Sequence, residues 1–148
     1  MSDLHCTCYR LRKAARRVTQ IYDHHLAETG LTANQHGIMA ELARSGALSM
    51  GGLSALLGME PSTLTRNLRP LAARGLIEVA RARDRRGRQV RLTDKGAERL
   101  AATLKPWRAA ETAVIRALGQ RDAALLNDLL ARLAADVPAA DRPRPPAA

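Results

Sequence analysis

The stretch from Gly58 to Gly96 constrains this chain more than any other. Its first part opens with Pro61, places Leu64, Leu68 and Leu71 at spacings of four and three, and stops at Gly75. That spacing predicts a helix with one buried stripe. Proline in the first turn costs nothing, because the N–H it lacks has no intrahelical partner there. Ser49 opens a shorter helix just before it (Leu53, Leu56 and Leu57 inward), closed by Gly58. After Gly75 comes an apolar run, Leu76-Ile-Glu-Val79, then a turn loaded with arginine, Arg81 to Arg88, then Gln89-Val-Arg-Leu92. Two short strands around a turn read as a hairpin. The predicted order is helix, helix, hairpin.

The Pro61 helix has two unlike faces. At about 100° per residue, Leu64, Leu68, Leu71 and Gly75 fall in one narrow arc. The opposite arc holds Ser62, Arg66, Arg69 and Ala73, with Thr63 on its shoulder and Thr65 at its edge. The face turned from the core is short, polar and cationic. Pro70 removes one backbone hydrogen bond and crowds the Arg66 carbonyl, on the order of 3 kcal/mol in an ideal helix, and predicts a kink.

Charge names the partner's chemistry. The chain is net +10, and Arg81 to Arg91 supplies half of that: six arginines against Asp84. Such a cluster suits a polyanion. Set beside a polar, cationic helix face, it implies duplex DNA, with the helix in the major groove and the hairpin tip on the backbone or minor groove. The fold class expected is mainly α with a small β-wing, a winged helix-turn-helix core flanked by N- and C-terminal dimerisation helices.

Other classes fit less well. No apolar run nears the roughly 18 residues of a membrane span, and no secretory segment opens the chain. With two cysteines, a reduced, cytoplasmic protein is expected. Phe is absent and Tyr9, Tyr22 and Trp107 are the only aromatics, which disfavours a single-strand RNA binder that stacks bases. No nucleophile elbow, phosphate loop or paired-ligand metal motif points to an enzyme. The basic cluster lies in a hairpin, so a lipid-binding amphipathic helix is disfavoured. A non-specific architectural DNA binder remains an alternative.

The rest of the chain reads as helices. Residues about 5 to 27 carry Leu4, Cys8, Leu11, Ala15, Val18, Tyr22 and His25 on one stripe, ended by Gly30. Thr32 and Gln35 form a capping box for a second helix, with Ile38, Met39, Leu42 and Ala43 inward and Gly46 at its end. Thr93 caps a fifth helix running to about Leu118, which Pro106 should bend. After Gly119 a last helix shows Leu125, Leu126, Leu129, Leu130 and Leu133 as an apolar ridge. The first and last helices carry more apolar surface than the central domain can cover, which predicts a homodimer knitted by both termini. Two recognition helices about one turn apart would then read a palindrome. The domain map is 1–30 for an N-terminal dimerisation helix, 31–96 for the DNA-binding region, 97–137 for C-terminal dimerisation helices, and 138–148 for a disordered tail with four prolines.

These motifs resemble the MarR family of bacterial transcription regulators. The matching segments are Ser62-Thr-Leu-Thr-Arg66, the Leu-x-x-x-Gly-Leu-Ile of Leu71 to Ile77, Asp84-Arg-Arg86, and Val90-Arg-Leu-Thr-Asp-Lys-Gly96. The likeness covers about residues 8 to 135. It implies that Ser62, Thr63, Thr65 and Arg66 face the major groove, that Arg86 enters the minor groove, and that Asp84 braces the wing. Asn67, Arg69, Arg83, Arg85 and Arg88 complete the expected DNA-binding set.

The effector is less constrained. The first helix resembles that of the family's organic-hydroperoxide sensors. With Tyr22 on their helix-one tyrosine, Cys8 falls on their reactive cysteine, and Arg16 and Thr19 also match. A second tyrosine of that pattern is Arg12 here, a cation one turn from Cys8 that favours the thiolate. The alternatives are a Cys8 that merely packs and a regulator answering a phenolic or lipophilic ligand, with Tyr22, His36, Met39 and Trp107 around its pocket. Cys6 lies roughly 200° from Cys8 on a helix, so pairing the two needs an unwound N-terminus, and a bond to the other subunit is the easier geometry. His5, Cys6, Cys8, His24, His25 and His36 make only a weak zinc signal. No metal and no cofactor are expected.

Overall fold

The computed structural model describes residues 6–81 and 87–136. The expected wing-tip residues Arg83, Asp84, Arg85 and Arg86, His5 and the tail at 138–148 lie outside them.

Helix α1 spans Thr7–Leu26, with Cys6 as an extended N-cap, so it starts later than the stripe suggested. Of its residues only Leu26 is buried. A 3-10 turn, Ala27–Thr29, leads to Gly30, whose φ of 69° is left-handed. Helix α2 spans Ala33–Ser45 and opens with the expected capping box. The Thr32 hydroxyl accepts from Gln35 N–H at 3.2 Å, and Gln35 Oε1 accepts from Thr32 N–H at 3.1 Å. The Thr32→Ala variant should lose about 1 kcal/mol of stability in chemical denaturation. An unchanged midpoint would show the cap to be redundant.

Strand β1, Leu48–Ser49, was not legible in the sequence, since two residues have no alternation to read. It pairs antiparallel with β3 at Leu48↔Val90 and Ser49↔Gln89. Helix α3, Met50–Leu57, is capped by Ser49, whose hydroxyl accepts from Gly52 N–H at 3.0 Å. Gly58, at φ 58°, turns the chain. Helix α4, Pro61–Ala73, follows and stays unbroken through Pro70. Strands β2, Ile77–Arg81, and β3, Arg88–Leu92, make the hairpin, and the sheet order is β1-β3-β2.

One apolar core joins these parts. Ile38, Met39 and Leu42 of α2 pack with Leu53 of α3, with Leu64, Leu68 and Leu71 of α4, and with Ile77 and Val90 of the sheet. Three successive inward leucines lock the rotation of α4, and that rotation decides which of its residues meet solvent.

The single fifth helix expected to Leu118 is two. Helix α5 spans Asp94–Ala102 and α6 spans Leu104–Leu118, with Thr103 between them. Pro106 is the physical reason. It has no N–H for the Ala102 carbonyl, and the chain tightens so that Thr103 N–H bonds Leu100 O at 3.0 Å.

The chain forms two compact units, one running to Glu111 and one beginning at Thr112. The second contains α7, Gln120–Asp136. On α7 Ala123 is buried, while Leu125 and Leu129 are 54% and 49% exposed and Leu126, Leu130 and Leu133 are exposed as well. No described helix is long and apolar enough to cross a membrane.

Candidate nucleic-acid interface

Because Leu64, Leu68 and Leu71 are fixed inward, Ser62, Thr65, Arg66 and Arg69 stand exposed, and Thr63 and Asn67 are half-buried. Two of these side chains also bind their own helix. Thr65 Oγ1 donates to Pro61 O at 2.9 Å, and Asn67 Nδ2 donates to Thr63 O at 2.9 Å. Their remaining capacity is an acceptor on Thr65 and, on Asn67, one N–H donor and the Oδ1 acceptor. Arg66 and Arg69 point no described bond into the protein and keep their full guanidinium forks.

The hairpin sorts its charges by register. Side chains alternate across a strand, so Arg81 follows Ile77 and Val79 on the core-facing side, and Arg88 follows Val90 and Leu92 there. Ile77, Val90 and Val79 are wholly or partly buried, which fixes that side as the one against α4. Arg88, Arg69, Thr65, Leu68 and Val79 line one cleft of about 250 Å³ between α4 and the hairpin. Arg91 faces the other way and pairs with Glu78 across the strands. The sequence cluster of six arginines is thus divided, and Arg91 is neutralised within the sheet.

Arg81 and Arg88 are direct partners in register. Like charges opposite one another destabilise a hairpin, and a phosphate between them reverses the sign. Arg81 was not among the expected DNA contacts. Its parity with Val79 was the signal that could have found it. Arg74 takes another role, donating to the Gly30 carbonyl at 2.6 Å.

The expected effector residues divide too. Cys6 and Cys8 are both exposed. Because Cys6 is an extended N-cap, the 200° separation on a shared helix does not apply to it. Tyr22 Oη donates to Glu111, and its ring meets Trp107 edge-on with centroids 6.1 Å apart. Burial, then the Glu111 bond and charge, hold the phenol protonated well above its usual range. His36 stacks on Trp107 at 5.9 Å and lies 2.9 Å from Thr103 Oγ1. That hydroxyl donates to Leu100 O at 2.6 Å, so it accepts from His36 Nδ1–H. His36 and Trp107 line a cleft of about 460 Å³ with Ala40, Leu100 and Leu104. Met39, expected both on the inward face of α2 and around the pocket, is fully buried in the core and does not line this cleft.

Burial lowers the proton affinity of the His36 imidazole. As pH falls, the unfolded chain, with histidine near 6.5, takes the proton first. The contribution of His36 is therefore whole above about pH 6.5 and is lost progressively below it. In thermal melts the advantage of wild type over His36→Phe should shrink from about pH 7.5 to about pH 5.5. A constant difference would refute that linkage.

A polar, cationic helix face held rigidly beside a cationic hairpin defines a winged helix-turn-helix DNA-binding protein. A profile of the MarR family matches residues 29–87. Among solved structures, the Mycobacterium tuberculosis transcriptional regulator MosR is 34% identical, with 87% of this chain and 98% of that one covered and a TM-score of 0.72. MosR in complex with DNA gives 35% identity, 90% and 100% coverage and a TM-score of 0.71. The transcriptional repressor CouR, bound to a 23-mer DNA duplex, gives 28% identity, 90% and 96% coverage and a TM-score of 0.79. Among curated proteins none matches. The chain belongs to the MarR family of DNA-binding transcriptional regulators, which are not enzymes.

Proposed function

We propose that this protein is a homodimeric repressor that reads a palindromic operator and is released by oxidation at Cys8. The observation that carries the DNA half is the cleft where Arg69 of α4 meets Arg88, itself opposite Arg81 in register, with Arg66 exposed on the same helix. Ser62, Thr63, Thr65, Arg66 and Asn67 read bases or position the helix; Arg69, Arg83, Arg85, Arg88 and, by family likeness, Arg86 bind backbone or minor groove. The likeness to CouR, a repressor, supports the sign of regulation. The exposed leucines of α7 and the uncovered stripe of α1 support a dimer built from residues 1–30 and 97–137.

Two exposed thiols support the release mechanism. Peroxide converts the Cys8 thiolate to a sulfenic acid, which condenses with Cys6 or a cysteine of the partner subunit to a disulfide and water. Either product changes the first turn of α1 and shifts the spacing of the recognition helices. A hundredfold loss of affinity requires about 2.7 kcal/mol of differential stabilisation.

The test is a titration of the duplex upstream of the protein's own gene with reduced protein, peroxide-treated protein and Cys8→Ser. Binding lost on oxidation in wild type and kept in Cys8→Ser is expected. Binding indifferent to peroxide in both makes Cys8 a packing residue. The second reading, release by a small phenolic or lipophilic ligand, is favoured by the His36–Trp107 cleft. Equal affinity for operator and unrelated duplex would instead leave a non-specific architectural protein, since a regulator should prefer its operator by roughly a thousandfold.

A further inference from the structure

The positive charge of this chain is concentrated in three places. Helix α4 is net +2, Arg81 to Arg91 is net +5, and α1 is net +4. In the remainder, eleven cations face twelve acids. Two of the three places form the interface described above. The third, α1, is not used by it.

From Thr7 to Gln20, α1 has five cations and no acid. Arg12, Lys13, Arg16 and Arg17 span about 140° of the helix, opposite the arc of Cys8, Leu11, Ala15, Val18 and Tyr22. All four are exposed, and no described carboxylate pairs with them. The acid of α1, Asp23, is turned to α2, where Oδ1 accepts from Ala33 N–H at 2.6 Å. Arg12 and Arg16, and Lys13 and Arg17, are like-charged pairs one turn apart, which weakens the helix itself. The charge is therefore not there for folding.

The arc is also a separate surface from the reading face. Arg74, at the C-terminal end of α4, donates to the Gly30 carbonyl just past the end of α1. Arg66 lies about 12 Å back along α4. Helix α1 thus joins the domain at the end of α4 remote from the bases, and extends about 30 Å from there with only Leu26 buried.

We infer that the basic arc of α1 binds the phosphate backbone of a second DNA duplex, so that a regulator seated on its operator tethers another segment of DNA. This rests on the dimeric DNA-binding reading. A dimer doubles the arc, and the charge complements the polyanion this family already binds. A membrane fits less well, because lipid binding by a helix needs its apolar arc free to insert, and that arc is given to the second subunit.

The test uses the full chain on bead-bound operator duplex, saturated and washed, then offered a fluorescent duplex of unrelated sequence. Wild type should retain the second duplex in a salt-dependent way. The variant with Arg12→Ala, Lys13→Ala, Arg16→Ala and Arg17→Ala should bind operator as before and retain about tenfold less second duplex, as expected for the loss of several phosphate contacts. Arg12→Gln with Arg16→Gln, which keeps the stem lengths, should lose an intermediate amount. No retention by operator-bound wild type, or equal retention by the fourfold variant, overturns the inference. So does capture of phosphatidylglycerol vesicles in place of duplex. Failure to bind operator at all would instead overturn the DNA-binding reading beneath it.

Discussion

Replacing Gly96 by alanine is expected to destabilise the fold by about 3 kcal/mol, although the same exchange inside an exposed helix usually stabilises by nearly 1. The sign is set by space. A Cβ on Gly96 would stand 2.0 Å from the Leu76 carbonyl oxygen and 2.8 Å from Leu92 Cδ1. The leucine tip can swing away; the carbonyl cannot, because it accepts from Thr93 N–H at 3.1 Å and from Thr93 Oγ1 at 3.1 Å. The first turn of α5 therefore touches the start of the hairpin directly, and an added methyl must push α5 away from the sheet. Gly37→Ala is the control: its Cβ would meet nothing within 4 Å in the middle of α2, so it should stabilise by up to about 1 kcal/mol. Chemical denaturation of both variants checks the pair. Equal and small effects would mean that the contact at Gly96 relaxes freely.

The second large effect is on recognition. Arg66→Ala should cost about 1–3 kcal/mol of operator affinity and flatten the preference among operator variants, as expected when a guanidinium reads a guanine edge. Stability should hardly move, because Arg66 is exposed and alanine is the better helix former. Affinity measured on the operator, on single-base variants and on a scrambled duplex separates the cases. A loss equal on all of them would assign Arg66 to phosphate alone.

Much of this was legible in the residues. Pro61, Gly58 and Gly75 bound α4, and the leucine spacing determined its inward face, because helical periodicity is local and Leu64, Leu68 and Leu71 leave one rotation that buries them all. The capping box at Thr32 and the cap at Thr93 were legible for the same reason, since a side chain reaching three residues along needs no tertiary information. β1 was not legible, being held by β3 some forty residues on. The split at Thr103 needed the tightened turn before Pro106, and separating Met39, legible as inward-facing, from the cleft of its neighbour His36 needed the packing of the core.

The sequence by itself determined the class of molecule: a helix with a cationic free face, a hairpin rich in arginine and a family likeness that fold and comparisons bear out. Composition and local periodicity are enough for that, because they decide which faces are apolar and which are charged. Only the tertiary structure decided how the charges are allotted. Strand register gave Arg91 to Glu78 and brought Arg81 opposite Arg88, and the approach of α4 to the end of α1 gave Arg74 to Gly30. A charge counts for binding only if no neighbour already neutralises it or holds its side chain elsewhere, and neighbours distant in sequence are fixed by packing.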